Sequence, residues 1–309
     1  MNARPLQGQD GMALILTITV VALLTIGVFD FFYQAWIQSA LAAGYRDETK
    51  ALYAARSGQA AAKLVLVEDA RSGIPHDTLT EEWAQGILAV PIDGEFVSVN
   101  IQDESGKVDL NLLTTDRGWP EDRWIEIFRR LLKRLDMDEN LCDALVDWED
   151  SNADQLPRGA EEGYYLSLKK PYRIKNAKLD SVDELGLIKG FTPEVIGKLR
   201  PHVTVWSSTK INVNTATDMA LAALDEDMTQ EVVAGIIRER LAKPFTARED
   251  IKRIPGMNDI YPRIALAIDV RSDYYSAETQ ATFGETTKTI RAVYRRGAAS
   301  ADTIFYKVF

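Results

Sequence analysis

The chain has 309 residues, 46% hydrophobic and 27% charged, a balance that excludes a disordered or fibrous body. At roughly 100–200 residues per domain, the length fits two domains with an appendage and is ample for a buried core. The 36 Lys and Arg against 46 Asp and Glu give a net charge of −10, which opposes long-range attraction to nucleic acid, and the single cysteine, Cys142, excludes an intrachain disulfide or a cysteine metal cluster.

Residues 1–11, MNARPLQGQDG, are short and polar. The run Met12–Phe29 carries no charge over 18 residues, near the lower limit of about 17–25 for a membrane-spanning helix. Asp30 is the one charge before Arg46, and Phe31, Phe32, Tyr33 and Trp36 are of the types that settle at a membrane interface. Three readings fit this start. One is a cleaved secretory signal, although Arg4 is set against Asp10 and the pattern after the apolar core stays helical. The second is a plain membrane anchor. The third is a prepilin leader, which is hydrophilic, ends in glycine and is cut ahead of the apolar helix, as Gly11–Met12 allows. Helical spacing continues through Ala51, Leu52, Ala55, Ala62, Val65 and Leu66, with no proline between Pro5 and Pro75. It predicts one helix from Met12 to about Ala70, roughly 90 Å long at 1.5 Å per residue.

Beyond the helix, Phe96, Val97, Val99 and Ile101 read as a strand, and KVDLNLL (107–113) alternates Val108, Leu110 and Leu112 on one face. A second strand group, ATFGETTKTIRAVYRRG and TIFYKVF, comes only at the C-terminus. Early and late strands in one sheet, with an insertion between them, is the simplest topology. The middle is helical: WIEIFRRLLKRLDM sets Ile127, Leu131 and Leu135 toward a core and Arg129, Arg130, Lys133 and Arg134 toward solvent. Cys142, beside Leu141, Ala144 and Leu145, reads as a small buried hydrophobe, and His202 as structural. The unit from Ser181 repeats from Ala247: Glu184 corresponds to Asp250, Leu185 to Ile251, Ile188 to Ile254 and Gly190 to Gly256, each unit a short helix, a glycine turn and a second helix. Walker, zinc-protease and nucleophile-elbow motifs are absent, and nothing points to an enzyme.

Several stretches together resemble the minor pseudopilin K (GspK) family of type II secretion: GMALILTITVVALLT, KVDLNLL, ALVDWEDSNADQLPRGAEEGYY (144–165), PYRIKNAKLDSVDELGLIKGFTPEVIGKLRPHVTV (171–205) and INVNTA (211–216). The resemblance implies an α+β, type IV pilin-like fold: a long N-terminal helix packed on an antiparallel sheet, with a large, mostly α-helical inserted domain holding helix-hairpin-helix or SAM-like repeats. It divides the chain into a leader (1–11), a long helix whose first part is transmembrane (12–76), sheet segments (77–113 and 276–309) and the insertion (114–275). It places processing at Gly11 and Met12, with methylation of Met12. It also implies a single-pass protein of the bacterial inner membrane with a periplasmic body, at the tip of the pseudopilus. The implied partners are minor pseudopilins I and J, the prepilin peptidase, the inner-membrane assembly platform and the secretin. Most pilins have Glu at mature position five, where its carboxylate neutralises a neighbour's buried N-terminal amine; here that position is Leu16, as is characteristic of minor pseudopilin K, so the chain suits a filament end rather than the middle.

Asp147, Glu149, Asp150, Asn152, Asp154, Glu161 and Glu162 fall within 16 residues, hard oxygen ligands of the kind calcium takes, though without EF-hand spacing. The segment resembles the family's calcium-binding acidic loop, which makes Asp147, Asp150 and Asp154 the first expected ligands and Glu161 and Glu162 the next; the family pattern tends to have Asp where Glu162 stands. Two other readings remain, a type IV pilus minor pilin and a membrane-anchored helix-hairpin-helix receptor for DNA. Charge disfavours the latter: Ile211–Val270 holds seven cations against ten acids, and the first hairpin turn, Leu224–Met228, has three acids and no glycine. No nucleic-acid partner is expected.

Overall fold

The computed structural model describes the backbone of residues 9–92 and 95–309 and the side chains of residues 11–86 and 96–309. The expected leader therefore lies outside the described residues up to Gly8. Helix α1 (Gln9–Arg71) is unbroken. Its first part is apolar and bare, from Met12 and Leu16 to Trp36, and is the one described helix long and apolar enough to cross a membrane. There Thr17, Thr19 and Thr25 each return their hydroxyl to the carbonyl four residues back at 2.8 Å, which satisfies these three groups in an apolar setting. The helix ends where Gly73 takes φ +72°, a left-handed conformation that glycine adopts without penalty, ahead of Pro75.

A connector leads to strands β1 (Ile87–Ile92) and β2 (Glu95–Asp103), after which the chain leaves the sheet. Residues 104–273 form two modules of one plan. The first runs β3 (Val108–Asp109), a 3-10 turn Leu110–Leu112, α2 (Asp122–Arg134), α3 (Leu141–Glu149), α4 (Glu162–Leu166), a 3-10 turn Val182–Leu187, α5 (Pro193–Leu199) and β4 (Val203–Thr204). The second runs β5 (Ile211–Asn212), α6 (Asp218–Ala223), α7 (Gln230–Ala242), a 3-10 turn Arg248–Arg253, α8 (Met257–Ile264) and β6 (Ile268–Asp269). Each module closes its first strand on its last in parallel, β3 with β4 and β5 with β6. Gly190 (φ +88°) and Gly256 (φ +86°) make the same left-handed turn after each 3-10 segment.

The duplication is longer than the sequence pattern suggested. Asn111 and Asn214 occupy equivalent places: Asn111 accepts from Leu179 N (2.7 Å) and donates to Leu179 O (2.9 Å), and Asn214 accepts from Phe245 N (3.0 Å) and donates to Phe245 O (2.9 Å). KVDLNLL thus opens the first module as INVNTA opens the second. It is not a strand of the main sheet: Val108, Leu110 and Leu113 are wholly buried in the inserted core, because the chain turns 3-10 after two strand residues. Three of the four cations expected in solvent on α2 depart from expectation. Arg130 donates to Ala223 O (2.8 Å) and Leu224 O (3.1 Å), capping orphan carbonyls at the end of α6, Arg134 donates to Met228 O (3.2 Å) in the loop that follows, and Arg129 pairs with Asp143 at 2.8 Å.

The chain returns as β7 (Tyr274–Phe283), β8 (Thr286–Arg296) and β9 (Ala301–Val308), giving an antiparallel sheet of order β1-β2-β7-β8-β9. Asp103 pairs with Tyr275, so early and late strands meet where the insertion leaves and rejoins. The upper half of α1 lies on this sheet through Ala51, Ala55, Gly58, Ala62 and Leu66, spaced three and four apart on one face. Small residues let the helix approach closely, and Gln59 donates to Ala277 O (3.0 Å) and Ile290 O (2.9 Å) beneath it. Glu48 pairs with Lys288 at one end of β8 and Asp69 with Arg296 at the other. The insertion therefore stands at the end of the sheet furthest from the bare half of α1.

Candidate functional site

The acidic segment folds around the end of α3. Asp147 lies in the last turn of that helix, Asp150 is its C-terminal cap, and Glu161 is the residue before α4. A ligand oxygen from each of these three carboxylates falls within 4.8 Å of the other two. Asp147 and Asp150 are buried and Glu161 half-buried, and Glu161 Oε1 is enclosed with no hydrogen-bond partner. The loop is wound to hold them: Leu156 N donates to Asp147 at 3.2 Å, Arg158 N to Asp143 at 3.2 Å, Asn152 N to Asp150 at 3.1 Å and Asp154 N to Asn152 at 2.6 Å. Gly159 passes so close that a Cβ there would overlap the Asp147 carboxylate.

Asp147 and Asp150 lie at the negative end of the α3 dipole, and with Glu161 beside them three like charges repel one another. Burial pushes Asp147 up to about 6, helped by the charge of Asp150. Burial, then Asp147 and Asp150, push Glu161 up to about 7, and Asp150 is raised by burial and by Asp154. Crowded carboxylates with an orphaned oxygen fit a hard divalent cation such as calcium.

The five expected ligands separate into two groups. Asp147, Asp150 and Glu161 converge. Asp154 is exposed outside the cluster, and Glu162, first residue of α4, turns to Arg173 at 3.8 Å. Glu149 is held apart by Thr114 (3.0 Å) and Lys178 (3.8 Å), with burial pushing it up to about 8. Cys142 is wholly buried, its thiol pushed up to about 12 by burial, and His202 hydrogen-bonds Thr217 at 2.9 Å. Gly11 and Met12 lie within α1, and Leu16 is 67% exposed on it. The pairing of Leu16 with a neighbour is outside a single chain.

A second acidic group, Asp69, Asp77 and Glu81, has no precedent in the sequence pattern. Protein donors satisfy it. Arg296 pairs with both Asp69 and Asp77, while Trp83 Nε1 (2.6 Å) and Thr78 N (3.1 Å) donate to Glu81. This knot ties the end of α1 to β8 and to the connector.

A long helix, bare and apolar below and packed on an antiparallel sheet above, defines a pilin-type subunit, here enlarged by an insertion. The profile of the family described as "Type II secretion system (T2SS), protein K" matches residues 106–208 and again residues 211–271, one match per module. The type II secretion system protein K of Pseudomonas aeruginosa is 30% identical over 306 residues, covering 94% of this chain and 90% of that protein. That of Aeromonas hydrophila is 25% identical over 94% of this chain and 93% of its own length. In fold, the chain resembles the crystal structure of the GspK-GspI-GspJ complex from enterotoxigenic Escherichia coli, with a TM-score of 0.70 at 20% identity, covering 86% of this chain and 98% of that one. The chain belongs to the type II secretion system protein K family, and its function is that of a minor pseudopilin in type II secretion. The type IV pilus and DNA-receptor readings give way to it.

Proposed function

We propose that this subunit stands at the tip of the pseudopilus, where it initiates assembly and caps the filament. The observation that carries this reading is the placement of residues 104–273 at the membrane-distal end of the sheet, beyond the last turn of α1. A body of that size blocks a further subunit from stacking above. Leu16 agrees, since it has no carboxylate to offer the N-terminal amine of a subunit above it. The role is one of positioning, not chemistry.

In this reading the leader stays cytoplasmic and is cut after Gly11 by the prepilin peptidase, and Met12 becomes N-methylated. The apolar half of α1 holds the chain in the bacterial inner membrane, body periplasmic, until the assembly platform extracts it toward the secretin. The solved structure that this chain resembles is a complex of GspK with GspI and GspJ, and minor pseudopilins I and J are the proposed neighbours here. Asp147, Asp150 and Glu161 hold a structural calcium ion. When bound, the ion neutralises the cluster, and the loop between α3 and α4 is fixed by the same residues.

Two measurements on native membranes test the reading. Mass spectrometry should find a chain beginning at methylated Met12, and affinity purification should recover it with pseudopilins I and J in equal amounts. A chain beginning at Met1, or cut after the apolar helix, would contradict it.

A further inference from the structure

Among the described residues the buried apolar side chains form two separate cores, one between α1 and the sheet and one inside the insertion. On one side they are joined by a buried polar network through which both chain crossings pass. Asp103 accepts from Ser105 N at 2.7 Å and from the hydroxyls of Ser272 and Thr215, each at 2.5 Å. Asn212 donates its side chain to Ser272 Oγ (2.7 Å) and Asp77 O (3.1 Å) and its backbone N–H to Ser105 O (2.8 Å). Ser272 N donates to Asp77 at 2.6 Å and Glu104 N to Tyr274 O at 2.9 Å. A network this fully satisfied holds the crossings together.

The opposite side is built differently. Trp206, just past β4, lies against Phe305 of β9 with ring centroids 5.2 Å apart. Lys307 of β9 reaches Asp183 of the insertion at 3.3 Å, with the two side chains 47% and 39% exposed. An exposed pair of this kind binds weakly. Each partner also has a second contact on its own side: Asp183 takes Arg200 at 2.5 Å, and the Lys307 ammonium sits 4.7 Å from the centre of the Phe309 ring. Separating the two therefore strands no charge. Between these contacts and the polar joint lies a cleft of about 670 Å³, with Gln102, Glu278, Arg291 and Val293 on the sheet side and Val182 and Arg200 on the other. Bodies packed directly on one another leave no such space.

We propose that Trp206–Phe305 and Asp183–Lys307 form a releasable latch, and that the inserted domain swings about the Asp103–Ser272 joint to open and close the cleft. The direction of α1 and the direction of the distal domain are then not rigidly locked. The domain can tilt while the sheet stays fixed on its helix. This does not rest on the tip position or on calcium.

The test uses the full chain in lipid nanodiscs, with the buried Cys142 replaced by alanine and spin labels on Lys198→Cys in α5 and Thr303→Cys in β9. Pulsed electron resonance should give a main distance and a longer minor one. The double variant Phe305→Ala, Lys307→Ala, both outside the two cores, should raise the weight of the longer distance at least twofold. A short bismaleimide bridge between Asp183→Cys and Lys307→Cys, each monitored by labels at the same sites through orthogonal chemistry, should abolish it. A reference pair on the sheet side alone, Glu285→Cys in the turn between β7 and β8 and Thr303→Cys in β9, should not move. One unchanged distance in every variant, or a shift of the reference pair, overturns the proposal.

Discussion

Asp147 does two things at once: it anchors the loop through Leu156 N and supplies one of the three convergent carboxylates. Asp150 has no contact of its own reaching as far along the loop, so Asp150→Asn separates cation binding from loop anchoring. This variant should lower calcium affinity by about tenfold or more, since ligand charge sets calcium affinity over decades. Glu162→Gln, altering a side chain that faces Arg173, should leave affinity within about twofold by the same reasoning. Calorimetric titration of the two proteins checks both. The cluster also sets a pH dependence. Asp147 and Glu161 are raised in the folded state from 3.8 to about 6 and from 4.5 to about 7, so the metal-free protein has their full contribution to stability below those ordinary values and loses it as pH rises from there through about 6 and about 7. Calcium needs the deprotonated carboxylates, so its increment to Tm should grow over the same interval. Melting with calcium and with chelator at pH 5, 6, 7 and 8 measures the difference, which cancels buried acids elsewhere such as Glu149. An increment independent of pH would contradict the assignment. At this scale the acidic run was legible in the sequence, but which member faces inward was not. The choice between Glu161 and Glu162 depends on the extended backbone of Glu161 before α4, and the meeting of Asp69 with Arg296 spans 227 positions.

Helix α1 was legible because an uncharged run, Met12–Phe29, leads into helical spacing through Ala51 to Leu66 with no proline to break the chain between them. Its closeness to the sheet rests on Gly58. A Cβ there would stand 3.0 and 3.1 Å from methyl carbons of Val99 and Val97 and would overlap the methyl of Thr279. Gly58→Val should destabilise the helix–sheet core by about 1–3 kcal/mol, read as a lower Tm, because the packed face has no room to yield. Gly44→Ala, with nothing within 4 Å, is the matched control and should leave Tm unchanged or higher. KVDLNLL shows why short strands are misread. Its alternation holds for a strand, but Val108 and Asp109 pair with Val203 and Thr204 and the chain then turns, a decision made by a partner about 95 positions away. Arg130 and Arg134 of α2 were misread for a like reason, since their acceptors are backbone carbonyls at the end of α6 and in the loop after it, which carry no sequence signal.

At the level of the whole molecule, strands at both ends of the sequence form one sheet around an insertion, and that organisation was visible because β-type alternation brackets a helical middle. The buried joint at Asp103, Asn212 and Ser272 was not visible, as its members come from three segments. The most direct test of the tip assignment is where the subunit sits in an assembled filament. Pseudopili should be isolated from cells carrying an epitope on the exposed loop between β8 and β9, decorated with gold-labelled antibody and imaged by electron microscopy. A single label at one end of each filament, whatever its length, is the expected result; labels spaced along the shaft would contradict it.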